Sequence, residues 1–172
     1  MQTIVLRFDY QSSAKIEELQ KQINAGSLKK VTSLPPHLTL QSFTQTNPAD
    51  LKKVIQPCAK KTNQLMINFS SIGFFKQKGT FFLAPTQTET LTNLHQSIRL
   101  ATREFSGSGA LYEPDQWVPH TTVANSTAAQ FWGPLFSRLS MEFQPFTATV
   151  TAIECWSVIN EKTENDWSIF LD

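Results

Sequence analysis

The chain has 172 residues and a formal net charge of +1, because 15 lysines and arginines oppose 14 aspartates and glutamates. Charged residues make up 17% of the chain, against about 25% in a typical soluble domain. This balance excludes a protein that neutralises a long nucleic acid with a dense basic face, but it leaves room for a small anionic ligand. The length predicts a single domain over residues 1–172 that buries its own core.

The amino-terminal segment and the two cysteines bear on the compartment. Arg7 and Asp9 interrupt the first apolar run, so neither a signal peptide nor a membrane span is expected there. Cys58 and Cys155 are too few and too far apart for a disulfide framework or a zinc site. We therefore expect reduced thiols in a cytoplasmic protein without a membrane partner.

Apolar periodicity predicts the elements of the first half of the chain. Ile4, Leu6 and Phe8 alternate along a strand over 3–10. Ser12 and Ser13 are the expected N-caps of the helix that follows. The other elements predicted here are the end of that helix at Gly26, a strand over 37–43 after two prolines, a helix over 48–62, and strands over 65–75 and 80–85.

The second half of the chain repeats this order. An amphipathic helix is predicted over 89–105, followed by a Gly/Ser loop over 106–109. The further predicted elements are a strand over 119–124, a helix over 127–142 that is interrupted or kinked near Gly133 and Pro134, and strands over 146–159 and 167–171. Because strands and helices interleave throughout, we expect an α/β or α+β class, with the two halves built as versions of one unit.

Two of the three histidines lie in the same tetrapeptide frame. Residues 36–39 and 119–122 both read Pro-His-x-Thr, and an aliphatic residue follows each. Because successive side chains of a strand point to opposite faces, His37 shares a face with Thr39, and His120 shares one with Thr122. Two such strands facing one cleft would offer two imidazoles and two hydroxyls around a small volume.

This set of side chains suits displacement at the phosphorus of a phosphodiester. One neutral imidazole can take the proton of the nucleophile while a protonated one gives a proton to the leaving oxygen. The threonine hydroxyls can donate to the non-bridging oxygens, where charge collects. Because the imidazolium and the hydroxyls supply the electrostatics, the sequence predicts no metal and no cofactor.

The residues needed for a zinc site or for a Ser-His-Asp hydrolase are missing from the expected positions in this sequence. No Cys or carboxylate lies near either histidine, as a zinc site would require, and no G-x-S-x-G turn is present for a Ser-His-Asp hydrolase. A simpler alternative is that both histidines end edge strands and bond to the backbone. Two further alternatives stay open: a non-catalytic nucleotide- or RNA-binding module, and a structural or protein-interaction domain.

These paired motifs resemble those of the 2H phosphoesterase superfamily, in particular its 2′-5′ RNA ligase-like or cyclic phosphodiesterase-like proteins. The opening strand IVLRFD, the strand FFLAPT and the run 112–120 support the likeness, which spans nearly the whole chain. The resemblance implies an α+β, bilobal fold with two pseudo-symmetric β-sheet lobes and outer helices around a central cleft. It also implies a monomer that opens 2′,3′-cyclic or related cyclic phosphates, or cleaves and joins 2′-5′ linkages, on RNA ends or small nucleotides.

The resemblance also implies roles for residues at the matching positions. His37 and His120 would be the general acid–base pair, and Thr39 and Thr122 would hold the phosphate. Which histidine is the base stays open. Thr121 stands where an aliphatic residue is usual, and we expect it to have little effect on the chemistry.

Several other side chains have two interpretations each. Phe43 shares the face of the first motif by alternation, while Tyr112 and Trp117 precede the second motif; each could stack on a base or line the cleft, or pack in the core. Arg7 could hold a phosphate if its side of the first strand is the cleft side, and is an ordinary exposed charge if it is not. His95 is expected to be a solvated or half-buried helical histidine.

Overall fold

The computed structural model describes residues 1–24, 34–44, 46–107, 110–159 and 162–172. Its strands are β1 (Gln2–Phe8), β2 (His37–Phe43), β3 (Leu65–Phe75), β4 (Thr80–Pro85), β5 (Thr121–Ala124), β6 (Phe146–Ile159) and β7 (Lys162–Phe170). Its helices are α1 (Tyr10–Asn24), α2 (Pro48–Ala59), α3 (Glu89–Ala101) and α4 (Trp132–Glu142). Short 3-10 turns lie at Lys76–Lys78, Ala110–Tyr112 and Ala129–Phe131.

The predicted bounds of β2, β3, β4 and β6 are confirmed, whereas several helix ends differ. The first helix begins at Tyr10 because the side chain of Asp9 accepts a hydrogen bond from the Ser12 amide at 2.7 Å. Asp9 therefore caps this helix, and neither Ser12 nor Ser13 does. The predicted helix end at Gly26 and the last two residues of the 106–109 loop lie outside the described residues.

Other corrections have local causes. Helices α2 and α3 end at Ala59 and Ala101, several residues earlier than their apolar patterns indicated. The helix predicted over 127–142 is interrupted, because a 3-10 turn over Ala129–Phe131 precedes α4, which begins at Trp132. Pro134 lies in the first turn of α4, where a missing amide proton costs little. Strand β7 begins at Lys162 because pairing with β6 holds its polar first half extended.

The seven strands form one antiparallel sheet. Six of them follow the path β2-β1-β6-β3-β4-β5, and β7 pairs with β6 beside that path. Strand β6 pairs with β1 along one edge and with both β3 and β7 along the other. Val150 of β6 is therefore paired with β1 on one side and with β3 on the other. The two predicted lobes are thus two halves of a single hydrogen-bonded sheet, and the α+β class is confirmed.

The helices cover one side of this sheet, which we call the core face. It carries Ile4, Leu6 and Phe8 of β1, which are buried together with apolar side chains from all four helices. The opposite side, which we call the open face, carries the residues that alternate with them. Among the described residues, no helix is both long and apolar enough to cross a membrane.

Candidate active site

The two motif strands lie at opposite ends of the strand path, yet they meet. The indole Nε1 of Trp117 donates to the carbonyl of Thr39 at 3.0 Å, and the hydroxyl of Thr121 donates to the carbonyl of His37 at 3.0 Å. No backbone ladder joins β2 to β5 in the described part of the chain. Side chains of the segment 117–121 therefore hold the two motifs next to each other.

The strand register places both motifs on the open face. His37 lies opposite Arg7 of β1, and Thr39 follows two residues later on the same side. In the other half of the sheet, Thr122 lies opposite Phe82 of β4. Residues directly opposite in an antiparallel pair share a face. The two histidines and two threonines are thus on one side of one sheet.

The two imidazoles are anchored in the same way. Nδ1 of His37 lies 2.8 Å from the carbonyl oxygen of Pro35, and Nδ1 of His120 lies 2.7 Å from that of Val118. Because a carbonyl only accepts, each neutral ring carries its proton on Nδ1 and leaves Nε2 as the basic nitrogen. The backbone bond expected from the simpler interpretation is present, and it leaves the second nitrogen of each ring available for chemistry.

Burial lowers the pKa of His37 to about 4. The ring of Trp156 packs edge-on against this imidazole with centroids 4.7 Å apart. The bond to the Pro35 carbonyl partly offsets the effect of burial, while the charges of Arg7 and His120 lower the pKa further.

Burial also lowers the pKa of His120, and its bond to the Val118 carbonyl opposes that shift. The aromatic side chains of Phe75 and Phe82 pack on this ring, with centroids 4.9 Å and 5.2 Å away. Aromatic packing thus removes water from both imidazoles. Both are neutral in the free protein at pH 7.

The hydroxyls of Thr39 and Thr122 are half-buried and make no hydrogen bond within the described part of the chain. The backbone behind each is fixed instead by a distant side chain. Trp117 donates to the Thr39 carbonyl, and Gln20 of α1 donates to the Thr122 carbonyl at 3.0 Å. Each threonine thus has a hydroxyl without a hydrogen-bond partner among these described residues, on a strand whose backbone carbonyl is fixed by a distant side chain.

Arg7 is on the open face beside His37, but its charge is already paired. Its Nε lies 3.3 Å from a carboxylate oxygen of Glu154, its Nη1 donates to the carbonyl of Pro36, and its guanidinium lies 5.6 Å from the Trp156 ring centroid. These contacts fix the start of β2. No group of three or more His, Cys, Asp or Glu side chains that could hold a metal ion occurs among the residues described.

Comparison with known proteins places this chain in a family. The sequence model described as the 2′-5′ RNA ligase superfamily matches residues 8–161. The chain belongs to the 2′-5′ RNA ligase superfamily. The resemblance inferred from the paired motifs is thereby confirmed, and membership supports a phosphoesterase or ligase activity.

Solved structures share the fold of this superfamily member along almost their whole length. TT0787 of Thermus thermophilus matches with a TM-score of 0.68 at 15% identity, covering 99% of this chain and 97% of its own. E. coli LigT in apo form matches with a TM-score of 0.66 at 15% identity, covering 99% and 96%. E. coli LigT complexed with 3′-AMP matches with a TM-score of 0.61 at 13% identity, covering 99% and 96%. No curated protein matches by sequence.

Phe43 does not line the site of this superfamily member, contrary to the alternation argument. The pairing of β2 with β1 shifts after Thr39, so Leu40 is an extra residue and the alternation reverses beyond it. Phe43 is therefore 1% exposed and packs against Phe105 in the core. A bulge of this kind has no clear signal in the sequence.

The aromatic residues before the second motif also pack in the core. Trp117 is 7% exposed and stacks on His95, with centroids 3.8 Å apart and planes 1° from parallel. His95 is itself buried, so the expectation of a solvated or half-buried side chain is wrong. Tyr112 packs against the same core, and burial raises its pKa. Trp117 supports β2 through its hydrogen bond to the Thr39 carbonyl, and it is too buried to stack on a base.

The aromatic residues that do surround the histidines are Trp156, Phe75 and Phe82, and no pattern in the sequence indicated this. They lie on β6, β3 and β4, at positions that become neighbours of a histidine only through the sheet register. Alternation alone could have put Phe82 on a face opposite to Leu83. It could not have shown which histidine that face meets.

Loss of the Thr121 hydroxyl should slow turnover more than it weakens substrate binding. Thr121→Val keeps the side-chain shape but leaves the His37 carbonyl without its partner, which costs about 1–3 kcal/mol for a buried group. We expect the link between the motifs to loosen and kcat to fall about tenfold, since small displacements of reacting groups are costly. Steady-state kinetics of Thr121→Val and Thr121→Ser test this, and the serine variant should stay near the wild type.

Thr102→Val is the matched control for this variant. Thr102 is also 1% exposed, and its hydroxyl also donates to a backbone carbonyl, that of Ile98, at 2.7 Å. It lies beyond the end of α3, outside the motif strands. If both valine variants lower kcat equally, the Thr121 bond matters only for stability.

Acidification should destabilise the protein before its carboxylates titrate. The pKa values of His37, His95 and His120 all lie below the ordinary value, so between pH 6.5 and 5 the unfolded chain binds more protons than the folded one. Stability therefore rises with pH across this window and falls as pH is lowered, by up to about 1.4 kcal/mol per unit for each histidine. Urea midpoints at pH 7, 6 and 5 measure the slope, which His37→Asn should reduce. An unchanged slope in that variant would contradict the assignment to His37.

Proposed function

We propose that this chain is a metal-independent phosphoesterase that uses His37 and His120 as its acid–base pair. Its substrates are 2′,3′-cyclic or related cyclic phosphates, or 2′-5′ linkages, of RNA ends or small nucleotides. The observation that carries the proposal is the pair of imidazoles on one face, each anchored through Nδ1 with Nε2 left over. Each is followed two residues later by an uncommitted threonine hydroxyl.

Opening a cyclic phosphate needs one proton removed and one supplied. One Nε2 takes a proton from water as its oxygen forms a bond to phosphorus. The P–O bond to one ribose oxygen then breaks, and the protonated Nε2 of the other histidine gives that oxygen its proton. In a 2′-5′ linkage a ribose hydroxyl can take the place of water, and joining is the reverse reaction.

A bound phosphate anion favours the imidazolium that the free site lacks. Both imidazoles are neutral in the free protein because burial lowers their pKa values. A phosphodiester anion between them raises both, which favours the singly protonated pair that the reaction needs. The hydroxyls of Thr39 and Thr122 then donate to the non-bridging oxygens as negative charge builds on them.

The comparisons support a nucleotide as ligand. E. coli LigT, which shares the fold, has been crystallised with 3′-AMP. The small number of polar groups and the net charge of only +1 also favour a small anionic ligand over a long nucleic acid. Both cysteines are free thiols, which is consistent with the proposed cytoplasmic location.

A substrate panel tests the proposal. The purified protein is incubated with nucleoside 2′,3′-cyclic phosphates, 2′-5′ and 3′-5′ dinucleotides, and linear 3′-phosphates, each with and without EDTA. We expect opening of the cyclic phosphates or cleavage of the 2′-5′ linkage, with rates unchanged by EDTA. Products assigned by ³¹P NMR identify which P–O bond breaks. No turnover of any cyclic or 2′-5′ substrate overturns the proposal, and inhibition by EDTA overturns its metal independence.

One observation favours a second candidate, a nucleotide- or RNA-binding module without turnover. The same lowered pKa values leave the free site without an imidazolium at pH 7. Such a module would bind a nucleoside monophosphate, but no P–O bond would break at any pH. Turnover that rises as pH is lowered from 8 to 6 separates the enzyme from the binding module.

A further inference from the structure

Two phenylalanines form an aromatic platform beside His120. The rings of Phe75 and Phe82 are stacked, with centroids 4.3 Å apart and planes 29° from parallel. The imidazole stands nearly perpendicular to Phe75, at 84° and 4.9 Å. The platform therefore adjoins the position where we propose that the phosphate binds.

A glycine makes room for this platform. Gly73 of β3 lies opposite Phe82 of β4, and a Cβ atom at position 73 would come 2.2 Å from Cζ of the Phe82 ring. The ring thus lies flat across the backbone of β3, which only a residue without a side chain permits. Because Phe82 lies flat, Phe75 can stack on it and stay next to His120.

Phe75 differs from the other rings around the histidines in its exposure. Phe82 is 5% exposed, and Trp156 beside His37 is 4% exposed. Trp156 is further fixed by its Nε1, which donates to Glu154 at 2.7 Å, and by the guanidinium beside it. Phe75 is only half-buried. Of the rings described next to either histidine, Phe75 alone is not fully buried.

We propose that the base of a nucleotide substrate stacks on Phe75 while its phosphate lies between His120 and His37. Aromatic side chains bind single-stranded bases in this way because every base has a π-face. The substrate class is thus a nucleoside phosphate, in preference to a sugar cyclic phosphate without a base. This inference rests on the proposed function and adds to it the half of the site that holds the base.

The test compares a substrate with a base and one without. Values of kcat/KM are measured for adenosine 2′,3′-cyclic phosphate and for 1-O-methylribose 2′,3′-cyclic phosphate, and their ratio is the selectivity for a base. We expect Phe75→Leu to lower this ratio about tenfold, mainly through KM, and Phe75→Tyr to restore it. Phe170→Leu is the control, since Phe170 of β7 is an aromatic side chain that is 78% exposed and should not affect the ratio.

Binding provides a readout that does not need turnover. Calorimetry with 3′-AMP and with ribose 3-phosphate should give the same preference for a base and the same loss in Phe75→Leu. If the wild type opens both cyclic phosphates equally well, the inference is wrong while the proposed function stands. If Phe75→Leu lowers both rates equally, Phe75 only supports His120 and the inference is again wrong. If the base preference is present in binding but nothing is opened, the inference stands and the proposed function fails.

Discussion

Replacing either histidine of the proposed acid–base pair by asparagine should lower kcat by about 10²–10⁴-fold, the range for a lost general acid or base. The amide nitrogen of Asn can occupy the position of Nδ1, so His37→Asn keeps a donor for the Pro35 carbonyl and His120→Asn keeps one for Val118. Of the two ring nitrogens, only Nε2 has no counterpart in the variant, although the ring's packing on its aromatic neighbours is lost as well. The effect therefore reports on proton transfer and little on the position of the strand.

The measurement is single-turnover opening of a nucleoside 2′,3′-cyclic phosphate by both variants and by the double variant. The double variant should be hardly slower than either single one, because residues that act as a unit are not additive. Circular dichroism and thermal melts establish that each variant is folded. If both single variants retain more than a tenth of wild-type kcat, the chemistry lies elsewhere in the protein.

The second large effect is expected at the two threonines that follow the histidines. Thr39→Val and Thr122→Val remove a donor to the non-bridging oxygens, and loss of one such donor costs about 10²–10³-fold in kcat. Neither hydroxyl has another partner among the described residues, so the valine variants leave no buried group unpaired and should fold like the wild type. Serine at each position keeps the hydroxyl and should recover most of the rate.

Thr147→Val provides a control on the same sheet. Thr147 is an exposed strand residue of β6 that lies opposite Asn68, far along the sheet from both motifs. Its replacement should leave kcat unchanged. If Thr39→Val or Thr122→Val also leaves kcat unchanged, the hydroxyl at that position does not contact the transition state.

Local patterns were enough to predict much of the fold. The bounds of β2, from His37 to Phe43, follow from two prolines before the strand and alternation within it. The pairing of His37 with Thr39 on one face needs only strand geometry, and the repeated frame singled out His120 and Thr122. These properties depend on residues within a few positions of each other, which is why one sequence suffices for them.

Features that depend on contacts between distant segments could not be predicted in the same way. The bulge at Leu40 reverses the alternation and buries Phe43, and it arises from the fit of β2 against β1. Trp117 looked like a ring for stacking on a base, but its Nε1 bonds to a carbonyl 78 positions away. Thr121 was expected to have little effect because it points to the side of its strand opposite to His120 and Thr122. The strand that its hydroxyl reaches from that side is not apparent from the sequence.

Strand β6 constrains how the protein can move during a catalytic cycle. It pairs with β1 along one edge and with β3 and β7 along the other, so both halves of the sheet share it. Many two-part enzymes close over a substrate by rotating rigid bodies about a hinge of a few loop residues. Here such a rotation would break ladder hydrogen bonds on either side of Val150. We therefore expect substrate entry and product release to occur without rotation of one half against the other, through adjustments of side chains around the site.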